Sequence, residues 1–221
     1  MSQHERSENL APTLSVCCQP VVMANVAVYC GSSGGVDPIY RTVAAEVGAS
    51  IAADGHQLVY GGGSVGLMGA VADATLAAGG NVLGIITQHL LDKEVGHHGV
   101  TELAVEDDMH ARKAAMATHA DGVIVLPGGF GTLDETFEVL TWNQLGVHPG
   151  SADGVIPVVF LDVDGYFKEL FAFIERIVES GFVRPEHGTM AQRILDPVEA
   201  VRLAAAGPPL VPPKWTDRDS G

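Results

Sequence analysis

Short runs of wholly apolar residues alternate along this chain with longer, alanine-rich stretches of helical periodicity. A strand that is apolar on both faces has to be covered on both faces, as in a mostly parallel sheet flanked by helices. The pattern therefore predicts an α/β fold of the Rossmann-like, doubly wound type. The expected strands are 25–29, 57–60, 81–86, 103–105, 122–126 and 155–161, and the expected helices are 40–53, 67–78, 109–120, 132–145 and 166–180.

Length and terminal composition indicate how the chain is divided. Its 221 residues, 47% of them hydrophobic, suffice for one well-buried domain, which we expect at residues 23–206. Residues 1–22 carry mixed charges instead of a basic segment followed by an apolar one, so we expect a flexible leader and not a signal peptide. Residues 207–221 contain four prolines, which prevent a continuing helix and predict an extended or disordered tail.

The net charge of -15 restricts the partners of the chain. It repels nucleic acids and anionic membrane surfaces, so we expect neither as a partner, and an anionic substrate must be held by local donors. No apolar run reaches the roughly 20 residues that span a bilayer. The three cysteines and nine histidines lack the spacing of a disulfide framework or a metal site, so we expect a reducing, cytoplasmic location and no metal ion.

Three glycine-rich turns, at residues 30–35, 61–66 and 127–131, follow expected strands. Ligands of doubly wound sheets bind beyond the carboxyl ends of the strands, so these turns should converge on one polar cleft. Residues 61–66 match the Gly-x-Gly-x-x-Gly dinucleotide pattern, but the acidic residue expected about 20 positions further on is missing. No turn continues into the Gly-Lys-Ser/Thr of nucleotide triphosphatases. NAD binding and ATP hydrolysis are therefore poorly supported.

The third turn opens the segment 127–135, which reads Pro-Gly-Gly-Phe-Gly-Thr-Leu-Asp-Glu. Its glycines let backbone N–H groups approach an anion, the following helix supplies further N–H donors, and Thr132 adds a hydroxyl. Glu135 stands about one turn into that helix, where a carboxylate repels phosphate, so its presence suggests chemistry at a sugar carbon. A simpler interpretation is a tight turn whose glutamate favours the helix dipole. Three glycines with Thr132 and Glu135 on one face exceed what capping requires.

Arg112 and Lys113 follow an acidic run that suits the start of a helix. Taken alone, they are typical of a solvated helix face. The whole chain has only 12 lysines and arginines, however, and a phosphate site favours a cation, so both residues are binding candidates. The serines and cysteines lack an identifiable His-Asp pairing and a Gly-x-Ser-x-Gly motif, which disfavours a covalent nucleophile.

These motifs resemble those of the Lonely Guy family, the cytokinin-activating phosphoribohydrolases often labelled lysine decarboxylases. The resemblance rests on Pro-Gly-Gly-x-Gly-Thr-x-x-Glu at 127–135 and Met-x-x-Arg-Lys at 109–113, with further matches at 30–33 and 60–69, and covers about residues 25–195. It implies that Arg112 and Glu135 are the catalytic pair. The substrate-binding residues that it implies are Glu94, Arg112, Lys113, Gly129, Phe130, Gly131, Thr132, Leu133, Asp134, Glu135 and Thr141.

The resemblance implies a homodimer without a cofactor that hydrolyses the N-glycosidic bond of N6-modified adenosine 5'-monophosphates to the free base and ribose 5-phosphate. Two alternatives stay open: a broad AMP or purine monophosphate nucleosidase, and a non-enzymatic carrier similar to molybdenum-cofactor carrier proteins. Ala111 stands where the family usually has Glu, and residues 87–88 replace a usual proline-containing turn, so base selectivity stays open. The decarboxylase label is unsupported, because none of the four lysines has a recognisable pyridoxal context.

Overall fold

The computed structural model describes residues 23–93, 95–209, 211–212 and 214. The expected leader, Glu94 and much of the expected tail lie outside the described residues, and the division into leader, domain and tail stays a prediction. The described residues form seven strands and eight helices. In chain order they are β1 Asn25–Tyr29, α1 Pro38–Ala53, β2 Gln57–Tyr60, α2 Gly66–Ala77, β3 Asn81–Thr87, α3 Gln88–Leu91, β4 Glu102–Glu106, α4 Met109–His119, β5 Gly122–Val125, α5 Phe130–Leu145, β6 Val158–Leu161, α6 Lys168–Glu179, α7 Pro185–Gly188, β7 Ala191–Ile194 and α8 Pro197–Ala204.

The strands form one sheet in the order β4-β3-β2-β1-β5-β6-β7. Every pair of neighbouring strands is parallel, which confirms the predicted fold class. The chain winds outward from β1 to β4, returns to the centre at β5, and then winds outward in the opposite direction. Between β1 and β5 the strand order therefore reverses, and a crevice opens beyond their carboxyl ends, the usual ligand site of such a sheet.

The sheet separates two apolar cores because successive strand residues point to opposite faces. In β1, Val26 and Val28 face one core, while Ala27 and Tyr29 face the other. Helices α1, α2 and α8 cover the first face. Helices α4, α5 and α6 cover the second face, so α4 and α5 lie on the same side of the sheet, where their first turns meet.

Several boundaries differ from the sequence prediction. Strand β6 begins at Val158 and not at residue 155, because the Asn143 side chain of α5 bonds to both backbone groups of Ile156. Asn143 Nδ2 donates to the Ile156 carbonyl at 2.8 Å, and Asn143 Oδ1 accepts from the Ile156 N–H at 3.0 Å. The prediction missed β7, whose Gln192 and Arg193 interrupt the apolar pattern. It also missed α3, α7 and α8, which are too short to show a clear helical period.

The described part of the tail is not helical and lies against the domain. The backbone N–H of Lys214 donates to the Gln144 carbonyl at 2.8 Å, and His187 Nε2 donates to the Pro212 carbonyl at 3.0 Å. The tail thus contacts the end of α5 and the short helix α7. Among the described helices, none has both the length and the apolar character that a membrane crossing requires.

Candidate active site

The three glycine-rich turns meet beyond the carboxyl ends of β1, β2 and β5, as the sequence predicts. The Gly31 N–H donates to the Pro127 carbonyl at 3.0 Å, and the Gly31 carbonyl accepts from the Leu67 N–H, also at 3.0 Å. The first turn therefore links the other two. Position 128 at this contact has room only for glycine, because a Cβ there would collide with the Thr132 hydroxyl and the Gly31 backbone nitrogen.

The turns enclose a cleft with a volume of about 330 Å³, which lies at the lower end of small-molecule sites. Glycine backbone from all three turns forms part of its lining, together with Thr132 and the pair Arg112 and Glu135. Apolar side chains from the neighbouring elements complete it. These are Val65, Met68, Ile86, Leu90, Val95 and Met109.

The amino end of α5 presents hydrogen-bond donors to this cleft. Gly129 is the N-cap residue and has no side chain to cap the helix, and its carbonyl accepts from the Leu133 N–H at 3.1 Å. The N–H groups of the first turn have no acceptor within the helix, and Gly129, Gly131 and Thr132 line the cleft. Free amides at the positive end of a 16-residue helix can bind an anion such as phosphate.

Arg112 and Glu135 form a buried ion pair on the wall of the cleft. Their side chains are 4% and 8% exposed, and Arg112 Nη1 lies 3.0 Å from Glu135 Oε1. Two further bonds fix the guanidinium, since Nε donates to the Ile85 carbonyl at 2.9 Å and Nη2 donates to the Gly61 carbonyl at 3.3 Å. Arg112 therefore joins α4 to β3, to the turn after β2 and to α5. This network holds Glu135 in one orientation.

The charge state of Glu135 reflects two opposing influences. Burial raises the pKa of Glu135 above the usual range of glutamates, and the nearby Arg112 guanidinium partly opposes this effect. A carboxylate that is poorly hydrated gains more from a cation that develops beside it than one in water does. Cys30 also lines the cleft, but burial raises the pKa of its thiol far above neutrality, so it stays protonated and is a poor nucleophile.

The predicted site residues that the structure describes do not all lie in the cleft. Arg112, Gly129, Gly131, Thr132 and Glu135 come together in the cleft. The predicted residues Phe130, Leu133, Asp134 and Thr141 lie on what we call the outer face of α5, which also carries Phe137 and Glu138.

The outer face has its own contacts, which separate it from the cleft. Lys113 Nζ lies 2.9 Å from Asp134 Oδ2 and 3.2 Å from Glu138 Oε2, so it pairs with acidic residues of this face. The Thr141 hydroxyl donates to the Phe137 carbonyl at 2.7 Å, one turn earlier in the helix. The structure therefore brings neither Lys113 nor Thr141 to the cleft, and Glu94 lies outside the described residues.

Sequence reasoning missed several residues that shape the cleft. The carbonyl acceptors of Arg112, at Gly61 and Ile85, carry no side-chain signal. Ile86 and Leu90 look like ordinary core residues of a strand and a short helix. Met109 could have been found, because it begins the motif that contains Arg112. Within the described residues, no group of three or more His, Cys, Asp or Glu side chains is arranged to hold a metal ion.

A parallel, doubly wound sheet with a glycine-lined cleft at its switch point defines a Rossmann-like α/β protein, and a buried Arg–Glu pair inside that cleft is a more specific feature. The family model described as "Possible lysine decarboxylase" matches residues 68–204. The chain belongs to this family, which confirms the resemblance to the Lonely Guy proteins.

Curated relatives share nearly half of the aligned residues. The "Probable cytokinin riboside 5'-monophosphate phosphoribohydrolase" of Oryza sativa subsp. japonica is 48% identical over 160 residues, which cover 72% of this chain and 63% of the relative. A cytokinin riboside 5'-monophosphate phosphoribohydrolase of Arabidopsis thaliana is 45% identical over 170 residues, covering 77% of this chain and 74% of the relative. The chain thus spans slightly less than two thirds of the rice relative's length.

Solved structures share the fold. The molybdenum cofactor binding protein of Rippkaea orientalis aligns with a TM-score of 0.63 at 23% identity, over 84% of this chain and 97% of that protein. The molybdenum cofactor carrier protein of Chlamydomonas reinhardtii aligns with a TM-score of 0.59 at 21% identity, over 84% of this chain and 95% of that protein. At this level of identity the likeness extends to the architecture alone.

Proposed function

We propose that the protein hydrolyses the N-glycosidic bond of N6-modified adenosine 5'-monophosphates, the cytokinin riboside monophosphates, to the free base and ribose 5-phosphate. The observation that carries the proposal is the placement of a buried carboxylate, Glu135, in the same cleft as the unpaired amides of the α5 amino end. An anion site and a cation-stabilising group within one small cleft suit a phosphorylated sugar. The curated relatives are named for this activity, which supports the proposal.

Glu135 supplies the chemistry at the ribose. As the bond between C1 and the base nitrogen breaks, its electron pair leaves with the base and positive charge develops on C1 and the ring oxygen. The Glu135 carboxylate stabilises this charge and orients or deprotonates the water whose oxygen forms the new bond to C1, and one proton of that water ends on the base nitrogen. Arginine stays protonated at ordinary pH, so Arg112 positions Glu135 and is not assigned as the acid that protonates the base.

The phosphate is held by backbone amides and not by a free cation. Arg112 is committed to Glu135 and two carbonyls, and Lys113 pairs with acidic residues on the outer face of α5. Amides of Gly129, Gly131 and Thr132 and the dipole of α5 therefore provide the attraction. Contacts this far from C1 act by fixing the ribose against Glu135, so binding energy is converted into positioning.

Apolar side chains in the cleft favour an N6-modified base over plain adenine. Ile86, Leu90 and Met109 line the cleft with the catalytic pair, and they offer an apolar surface to an isoprenoid substituent. A broad purine monophosphate nucleosidase has no need of this surface. A carrier of a phosphorylated cofactor has no need of Glu135, because a carboxylate beside an anion weakens binding.

Decarboxylation with pyridoxal chemistry is not supported by the lysines. A Schiff base forms from a neutral amine, but the hydrogen bond to Asp134 raises the pKa of Lys113 and keeps it charged. In the described part of the chain, the residues that line the cleft include no lysine. The family description therefore does not describe the chemistry that this site favours.

Comparison of three substrates tests the proposed function. We expect the isopentenyl adenosine monophosphate to be hydrolysed with a kcat/KM at least about tenfold above that of AMP, and far above that of the plain isopentenyl riboside, because phosphate and substituent each add positioning contacts. Release of free base measured by chromatography gives the three rates. Equal turnover of riboside and monophosphate would refute the phosphate anchor, and equal turnover of both monophosphates would favour the broad nucleosidase.

The outer face of α5 supports a homodimer. Phe130 is 93% exposed on this face, and Phe137 is also exposed. Phe137 lines an apolar groove between α5 and α6 together with Leu140, Ile174 and Ile177. An exposed apolar surface of this kind is typical of an interface. A second copy of the chain on this face would cover the exposed phenylalanines of the outer face, which do not line the cleft.

A charge placed on the outer face tests this assembly. We expect light scattering to give twice the chain mass of 23.0 kDa for the native protein and the single-chain mass for Phe137→Glu, because a buried carboxylate opposes association. Val198→Glu is the matched control, since Val198 is exposed on α8 across the sheet. A dimer that persists in Phe137→Glu, or dissociates in both variants, would contradict this interface.

The proposed location is the cytoplasm, and the proposed partners are the nucleoside monophosphate and a second copy of the chain. Cys30 is a buried, free thiol, which suits a reducing compartment. The net charge of -15 repels nucleic acids and anionic membranes.

A further inference from the structure

The orientation of the peptide that joins Gly128 to Gly129 can determine whether the cleft attracts or repels a phosphate. Neither residue has a Cβ, so this peptide turns over at little steric cost. In one orientation it presents the Gly129 N–H to a ligand, and in the other it presents the Gly128 carbonyl, which repels anions. A residue that selects one orientation therefore controls the anion site without touching the anion.

Tyr166 makes such a contact. Its hydroxyl donates to the Gly128 carbonyl at 2.7 Å, although the two residues are 38 positions apart in the chain. In a trans peptide the carbonyl and the following N–H point in opposite directions, so the Gly129 N–H faces away from Tyr166. Gly129 lines the cleft, and its N–H has no protein acceptor within the described residues. The amide is thus available to a ligand.

Hydrogen bonds and ring contacts hold the turn that carries Tyr166. Asp162 is buried at the end of β6, where its Oδ1 accepts from the Phe167 N–H at 2.8 Å and its Oδ2 accepts from Arg193 Nε at 2.7 Å. The phenol ring of Tyr166 packs edge-on against Tyr40, with ring centres 5.9 Å apart, and against Phe167 at 5.0 Å. These contacts hold the hydroxyl at the Gly128 carbonyl.

We propose that Tyr166 is a positioning residue that fixes the peptide between Gly128 and Gly129 with its N–H directed to the 5'-phosphate of the substrate. This inference rests on the proposed function. Tyr166 is not among the residues that line the cleft, so it acts through the backbone. It couples the turn after β6 to the turn after β5, and thereby contributes to the preference for a monophosphate.

Tyr166→Phe tests this role, because it removes the hydroxyl and keeps the ring. We expect KM for the monophosphate to rise roughly 3- to 10-fold, the range that one net hydrogen bond is worth, while kcat at saturation and kcat/KM for the plain riboside stay unchanged. A purely structural role would lower the rates with both substrates. Tyr40→Phe is the matched control, since the Tyr40 hydroxyl has no hydrogen bond within the described part of the chain, and it should leave KM unchanged.

Amide signals of protein labelled with ¹⁵N-glycine provide a readout that does not depend on turnover. Titration with inorganic phosphate should shift the Gly129 amide signal in the native protein, and the same shift in Tyr166→Phe should need a phosphate concentration 3- to 10-fold higher. Absence of monophosphate hydrolysis by the native protein would refute the proposed function, yet the titration would still test Tyr166. Equal KM values and equal titration curves for native protein and variant would overturn the positioning role.

Discussion

Replacement of Glu135 by glutamine should reduce kcat for the monophosphate by about 10²- to 10⁴-fold and leave KM within a few-fold. Glutamine keeps the shape of the side chain and can still accept a hydrogen bond from Arg112, which lies 3.0 Å from the carboxylate. It has no negative charge to stabilise a cation at C1 and cannot remove a proton from water. Because the proposed phosphate contacts come from α5 amides and not from Glu135, binding should persist. Initial rates of base release at several substrate concentrations separate kcat from KM.

Stability measurements distinguish this loss from unfolding. Burial raises the pKa of Glu135, so protonation of Glu135 favours folding: this stabilisation is complete below the unfolded pKa of about 4.3 and is lost as pH rises through the higher folded value. Above its folded pKa, the ionised Glu135 therefore carries a desolvation cost that a neutral glutamine does not. Glutamine also leaves the buried Arg112 guanidinium without its counter-charge, so we expect Glu135→Gln to melt below the native protein but to be folded at the assay temperature, where its loss of kcat is measured.

The matched control for this variant is Glu138→Gln. Glu138 is on the same helix and pairs with Lys113 away from the cleft, so its neutralisation should leave kcat unchanged. A kcat that stays within a few-fold of the native value in Glu135→Gln would refute the catalytic role. An equal loss in Glu138→Gln would show that the charge of α5, and not the Glu135 carboxylate, controls the rate.

Replacement of Arg112 by glutamine should move the acid limb of the pH–activity profile to higher pH. In the proposed mechanism Glu135 acts in its ionised form, so kcat/KM should rise with pH through its pKa. Burial raises that pKa, and Arg112 is the largest influence that lowers it. Without the guanidinium, a larger fraction of Glu135 is protonated at pH 7. We expect kcat/KM at pH 7 to fall by at least about tenfold and to recover partly at higher pH. A profile of kcat/KM between pH 5 and 9 measures the shift.

The same variant should be destabilised more than Glu135→Gln is. Loss of one partner from a buried ion pair costs about 3–5 kcal/mol, and here the carbonyls of Ile85 and Gly61 also lose their donor. The double variant Arg112→Gln, Glu135→Gln removes both charges and should recover part of this loss. Thermal denaturation of the three variants measures these differences. A pH profile that keeps its native acid limb in Arg112→Gln would refute the influence of Arg112 on Glu135.

The sequence predicts the sheet because its strands are apolar throughout, a pattern that only burial on both faces explains. It misses β7, an edge strand in which Gln192 and Arg193 interrupt the pattern, and it extends β6 to residue 155 because the hydrogen bonds from Asn143 to Ile156 leave no trace in local composition. Convergence of the three glycine turns follows from topology and is confirmed. What fills the space between them depends on packing across the whole fold.

Helix geometry explains which site residues the sequence could place. Adjacent residues on an α-helix are about 100° apart, so Arg112 and Lys113 point in different directions, and only Arg112 reaches the cleft. Thr132 and Glu135 are three positions apart and share a face. Thr141 is six positions beyond Glu135, about 240° around the helix, and lies with Phe137 on the outer face. A sequence motif alone does not show which of its residues share a face of the helix.

Gly61 belongs to a sequence that looks like a dinucleotide fingerprint, yet the space beside its Cα is taken by the protein itself. A Cβ at this position would collide with Arg112 Nη2. The glycine thus leaves room for a guanidinium from another helix, and its carbonyl accepts from that same group. A glycine spacing that resembles a cofactor motif can therefore reflect the space that a neighbouring side chain requires. A methyl group added at Gly61 would displace the Arg112 guanidinium, and with it the Glu135 carboxylate that the guanidinium holds.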